Sequence, residues 1–199
     1  MSMRPFAGAQ TITGSVQPVF GTAVTAAVTP PPDQFSGNLT PGSNETQCNL
    51  TVTSTKGFLP GDRISVGPTA GFVPGLVATA SIPDQGMVKS ITSATVMVVQ
   101  GLKNTHAATG EWCVLNEDAG NVHIRPIVTT AAVYIGDSST VSSSDKSLLD
   151  ILPINAAAGT GPVYVFDAEA IGLSQPFQTS AFWMIGTAND TVLARFTQI

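Results

Sequence analysis

The stretch Thr46-Gln47-Cys48-Asn49-Leu50-Thr51-Val52-Thr53-Ser54-Thr55 alternates strictly: Cys48, Leu50 and Val52 fall on one side of an extended chain, and Asn49, Thr51 and Thr53 on the other. A period of two sends successive side chains to opposite faces, which is the signature of a half-buried strand. Working outward, the same pattern, or a short apolar run bounded by turn residues, recurs at Arg63–Val66, 87–92 (MVKSIT), 94–101 (ATVMVVQG), Glu111–Leu115, 121–128 (NVHIRPIV), 131–137 (AAVYIGD), 162–171 (PVYVFDAEAI), 180–187 (SAFWMIGT) and 191–199 (TVLARFTQI). Turn residues separate them: Pro60-Gly61-Asp62, Gly67-Pro68, Asn116 to Gly120, a Ser-rich run at 138–144, and Ala188-Asn189-Asp190, which reads as a hairpin loop. No segment keeps a helical period beyond about two turns. The fold class is therefore all-β. The polar break at 116–120 divides a β-barrel-like module over 46–116 from a β-sandwich module over 117–199.

Residues 1–45 have a different composition. Pro5, Pro18, Pro30, Pro31, Pro32 and Pro41 alternate with Gly8, Gly14, Gly21, Gly37 and Gly42. Proline removes backbone donors and glycine raises the entropy cost of order, so neither a long helix nor a central strand fits. Yet Phe6, Ile12, Val16, Val19, Phe20, Val24, Val28 and Phe35 recur along a stretch with almost no charge. Spaced apolar residues on an extended chain predict an N-terminal arm lying in the grooves of a neighbouring protein, adding a strand over Thr22 to Val28. A mostly disordered tail is the alternative. Pro30-Pro31-Pro32 would be a stiff hinge between arm and body. On this reading the eight apolar residues are the protein-interaction residues, and deleting residues 1–32 should leave the body folded while weakening its attachment.

The chain has 199 residues, enough to bury a core without disulfides or metals. Charged residues make up 11%, against about 25% in an ordinary domain. Either Ser and Thr keep a stable β-protein soluble, or much of the surface is covered in an assembly, where charge is depleted. The arm favours assembly. With a net charge of −5 and 8 basic residues, no two of them adjacent, the chain is poorly suited to nucleic acid. No apolar run reaches the roughly 18 residues of a membrane helix, and MSMRPFAGAQ lacks the apolar core of a secretory signal. Cys48 and Cys113 read as buried free thiols, with a bridge between them as the alternative.

Catalytic, cofactor and metal chemistry is not signalled. His106 lies in a loop with no acid or nucleophile close in sequence. His123 shares a strand face with Arg125. Two His and two Cys without paired spacing do not make a zinc signature. Asp167 and Glu169 fall on one side of a strand, as solvent-facing residues or as an acid pair, and Glu117-Asp118 belongs to a turn. Trp112, Trp183 and Tyr134 lie in apolar runs and read as core, although they are also the aromatics a glycan site would need. The chain is expected not to be an enzyme and to need no cofactor.

Ala131 to Asp137, Val141, Leu149 to Pro153 and Gly161 to Val165 resemble small virion proteins of tailed bacteriophages, and Gly57 to Val66 is similar to a phage barrel domain. With the apolar arm, the arrangement resembles capsid cement or decoration proteins. That resemblance implies a homotrimer on the outer surface of the capsid head, with the major capsid protein and other copies of itself as partners, clamping neighbouring subunits and carrying no catalytic residues. A tail or fibre component that binds a receptor glycan is the alternative.

Overall fold

A computed structural model describes residues 3–31, 47–72, 83–144, 148–153, 161–167 and 175–199; among them the regular elements are strands, apart from 3-10 turns at Thr69–Phe72 and Thr179–Ala181. The N-terminal segment does not form an arm in this structure. It contributes β1 (Met3–Thr11), β2 (Gln17–Pro18) and β3 (Gly21–Ala23), and each pairs with a strand far downstream. Proline argues against central strands, and the described prolines within the strands of this segment obey that rule. Pro5 and Pro18 sit in β1 and β2, both at sheet edges, where a missing donor interrupts no inner ladder.

The barrel-like unit contains β4 (Gln47–Thr51), β5 (Arg63–Pro68), β6 (Asp84–Ile91), β7 (Val96–Gln100) and β8 (Glu111–Leu115). Its six antiparallel strands run β3-β8-β5-β6-β7-β4. The alternation that begins at Cys48 puts Leu50 and Val52 in its interior with Ile64, Val66, Val88, Met97 and Val99. The sheet curls until its two edges touch. Val24 bridges Val52, flanked by Thr25 N–H donating to Thr51 O and Thr53 N–H donating to Ala23 O, both at 2.9 Å. The strand that meets β4 therefore comes from the N-terminal segment. Gly21 permits this approach, because a Cβ there would lie 2.5 Å from Pro18 Cγ and 3.0 Å from Cys113 O.

The remaining strands are β9 (Asp118–Val128), β10 (Val133–Gly136), β11 (Leu148–Leu152), β12 (Tyr164–Asp167), β13 (Phe177–Gln178), β14 (Trp183–Ile185) and β15 (Thr191–Gln198). One sheet runs β1-β15-β9-β12, with β13 also on β9; the other runs β11-β10-β14-β2. The chain passes from one sheet to the other between β1 and β2, β9 and β10, β11 and β12, β13 and β14, and β14 and β15. The Ala188-Asn189-Asp190 turn is thus an arch between sheets and not a hairpin, with Asn189 in the left-handed region at φ 72°. Asp190 secures it by accepting from Thr130 N–H at 2.8 Å and Thr130 Oγ1 at 2.9 Å.

Barrel and sandwich share one core. Phe6 packs edge-to-face on Phe58 of the barrel, with centroids 5.3 Å apart, and on Phe20 at 5.6 Å. Phe20 continues to Phe196 at 5.5 Å and Phe182 at 6.1 Å, within the range where such pairs attract beyond simple burial. Arg4 caps this row from the surface, its guanidinium 5.5 Å from the Phe196 ring centroid and donating to Asp62 Oδ1 at 2.7 Å.

Candidate functional site

Of the residues assigned to an interacting arm, Phe6, Ile12, Val19, Phe20, Val24 and Val28 are buried in the chain's own core, and Val16 is half-buried against the cluster around Trp183. Phe35 lies outside the described residues. The expectation of an arm presented to a neighbour is corrected for this segment. Its apolar series fits grooves, and those grooves belong to its own body, since β15, β14 and β8 supply them. The proposed hinge is also pinned on its N-terminal side, where Val28 and His106 exchange backbone hydrogen bonds of 3.0 and 2.8 Å and Pro30 is buried.

His106 does have acids beside it. Its Nδ1 lies 2.8 Å from Glu111 Oε2 and its Nε2 3.4 Å from Asp84 Oδ2, all three side chains being largely buried. Asp84 Oδ2 also accepts from Asn104 N–H at 2.8 Å, and Glu111 Oε1 from Ala107 N–H at 3.1 Å. These acceptors hold the loop between β7 and β8 against the barrel, which accounts for the group as a structural clasp. Glu117 and Asp118, expected in a turn, stand instead just before and at the start of β9, and they too have a structural task. Glu117 Oε1 accepts from Arg63 N–H at 2.6 Å, and Asp118 pairs with the Arg63 guanidinium at 3.0 Å, joining barrel to sandwich. The Arg63 hydrogen bond, then one from Gln178, holds the Asp118 carboxyl below the usual range, and the same bond to Asp118 raises the Arg63 guanidinium above its own. Cys48 and Cys113 are both free thiols, Cys48 half-buried and Cys113 buried. Asp167 lies at the end of β12 opposite Asn121, and Glu169 is outside the described residues. Among the described residues no three His, Cys, Asp or Glu side chains form a group suited to a metal ion.

The more distinctive surface is the outer face of the sheet containing β9, β12 and β15. Along β9 the period of two buries Val122 and Ile124 and turns His123 and Arg125 outward; along β15 it buries Val192, Ala194 and Phe196 and turns Leu193 and Arg195 outward. Tyr164 and Phe166 of β12 pack on the core, leaving Val163 and Val165 50% and 54% exposed. Register aligns these side chains across the sheet. Val165 is opposite His123, His123 opposite Arg195, Arg195 opposite Pro5, and Arg125 opposite Leu193. Met3, His123, Arg125, Val163, Leu193 and Arg195 line a shallow pocket there. Arg125 Nε donates to Gly161 O at 3.0 Å; no ion pair holds Arg195 among the described residues.

This face ends at an edge strand. Among the described residues β12 has β9 as its only strand partner and β11 has β10. Both are therefore end strands of their sheets among the described residues. Leu149 and Ile151 of β11 are 42% and 45% exposed. The two edges thus carry half of the large exposed hydrophobics among the described residues. Sequence reasoning paired His123 with Arg125 and missed Arg195, whose place beside them depends on a partner strand some 70 residues away.

No known protein family matches the chain, and no curated protein does. Among solved structures the chain is similar to VP17, a capsid protein of bacteriophage P23-77, at 14% identity and a TM-score of 0.21, covering 99% of this chain and 78% of that one. A superposition that loose bears no weight for what this chain does.

Proposed function

We propose that this chain is a non-catalytic structural protein of a virion, a cement or decoration protein that binds the major capsid protein on the outer surface of a tailed-phage head. The capsid assignment rests on the resemblance of residues 131–165 and 57–66 to phage virion proteins and on the low charge of the chain. The observation that carries the contact surface is the outer face of β9, β12 and β15. In a chain of net charge −5 it gathers Arg125, Arg195 and His123 among Met3, Val163, Val165 and Leu193. A surface with that composition fits an acidic patch bordered by apolar side chains, with the apolar groups contributing area and the guanidinium groups register and orientation. Attachment runs through this face and its β12 edge, leaving the N-terminal segment to hold the body together. Trimers around threefold positions, implied by the resemblance, would multiply a weak contact into firm attachment.

The test is co-sedimentation of purified protein with isolated head shells, with light scattering for its mass. Arg195 and Val165 are both exposed, so Arg195→Glu with Val165→Glu leaves the core untouched. That variant should elute like the parent and bind shells at least tenfold more weakly. Parent binding should weaken as salt rises. Unchanged attachment of the double variant would remove the face from the contact, and a mass other than three times the 20.4 kDa chain would remove the trimer.

A further inference from the structure

A second surface is built for different chemistry. Where the end of β1 passes beside β3 and the loop after β4, a cleft of about 360 Å³ opens, lined by Trp112, Gln10, Gln17, Thr22, Thr53 and Ser54 among others. That volume falls within the range of small-molecule sites, about 300–1,000 Å³. Among the described residues its lining includes one cation, Lys56, and no carboxylate; hydroxyl and amide groups predominate, and Trp112 is the one aromatic.

Several of these groups are already fixed by bonds to their own chain. Thr22 Oγ1 accepts from Ser54 N–H at 3.1 Å, Gln17 Oε1 accepts from Thr13 N–H at 2.8 Å, and Trp112 Nε1 donates to Thr69 Oγ1 at 3.1 Å. The walls are thereby held in place. Gln10 Oε1 is enclosed and meets no donor among the described residues, so it is not one of the groups the cleft presents. Trp112 is half-buried, in contrast to Trp183, which is fully buried. The apolar run that contains Trp112 made it look like core, whereas one side of it borders a polar cleft.

We infer that this cleft binds a neutral carbohydrate. Such a ligand presents C–H surface to an aromatic side chain and hydroxyl groups to amides and hydroxyls. A charged ligand would call for more than Lys56 at the rim, and an apolar one would strip water from the polar lining without replacing it. The inference is independent of the capsid reading, since a sugar could bind whether or not the protein attaches to a head shell.

The test uses the full chain on an array of neutral, sialylated and sulfated glycans, followed by titration of the neutral hits under tryptophan fluorescence. Trp183 is fully buried, so a ligand-dependent change reports on Trp112. A neutral hexose- or N-acetylhexosamine-containing glycan should bind and alter that emission. Thr53 is exposed, so Thr53→Arg should fill the cleft without disturbing the core and abolish binding. The idea is overturned if no neutral glycan binds, if only sialylated or sulfated glycans bind, or if Thr53→Arg binds as the parent does.

Discussion

Removing residues 1–31 tests whether the N-terminal segment is an appendage or part of the body. The deletion withdraws six buried side chains, Phe6, Ile12, Val19, Phe20, Val24 and Val28. At about 1.5–3 kcal/mol for each fully buried large apolar side chain, their burial amounts to about 9–18 kcal/mol. This is a ceiling, because denatured chains already cover part of their apolar surface. A whole domain has a net stability of about 5–15 kcal/mol, so the loss is comparable to everything that holds the fold. The deletion also strips β15, β14 and β8 of a partner strand and leaves Asp62 without Arg4. Residues 32–199 should therefore show no cooperative transition in urea followed by tryptophan fluorescence, and should bind a dye specific for exposed apolar surface. Phe20→Ala offers a graded version. Phe20 is fully buried against three other phenylalanines, so truncating it should cost about 3–5 kcal/mol. A truncated chain that unfolds cooperatively near the full-length midpoint would refute the shared core.

Two further outcomes follow from the ionisable groups. Burial pushes the Cys113 thiol far up, and burial together with the Asp84 charge raises Cys48 more modestly; a thiol reagent at pH 8 should label Cys48 slowly and Cys113 only in denaturant, and rapid labelling of two thiols in the native protein would contradict the packing. The Asp118 carboxyl is held low by Arg63 and then Gln178, so its contribution is present above the unfolded value near pH 4 and is lost as pH falls through the lower folded value. Asp118→Asn should flatten the acid side of a melting-temperature profile at low salt, an effect that disappears in high salt because the pair is exposed; identical profiles at low salt would show the pair to be inert.

Alternation alone located many of the strands. Leu50 and Val52 point inward and Thr51 and Thr53 lie at or near the surface, and the runs around Met97, Ile124, Ile135 and Val192 became β7, β9, β10 and β15. What escaped was pairing. Pro5 and Pro18 argued correctly against central strands, but edge strands remained possible, and nothing near them in sequence identifies β15 or β14 as the partner. The same gap hid the Phe6–Phe58 contact, the acids around His106 and the approach of Arg195 to Arg125. Ala188-Asn189-Asp190 has the composition of a tight turn, and composition does not distinguish a hairpin from an arch between two sheets. Trp112 packs on the core cluster as its apolar run suggests, but the cleft on its other side is made by residues distant in sequence, Gln10 and Thr53 among them.

The pairing of β1 with β15 sets an order on folding. Met3 is matched with Thr197, so β1 is made long before its partner. At about 5–20 residues per second, a ribosome leaves it without its partner for roughly 10–40 s. Contacts so distant in sequence also close slowly once the chain is complete. During that interval Pro5 and Pro18 interrupt the donor row that a foreign strand would need for pairing. The residues that seemed to disqualify this segment as a strand thus protect it until its own partner has been made.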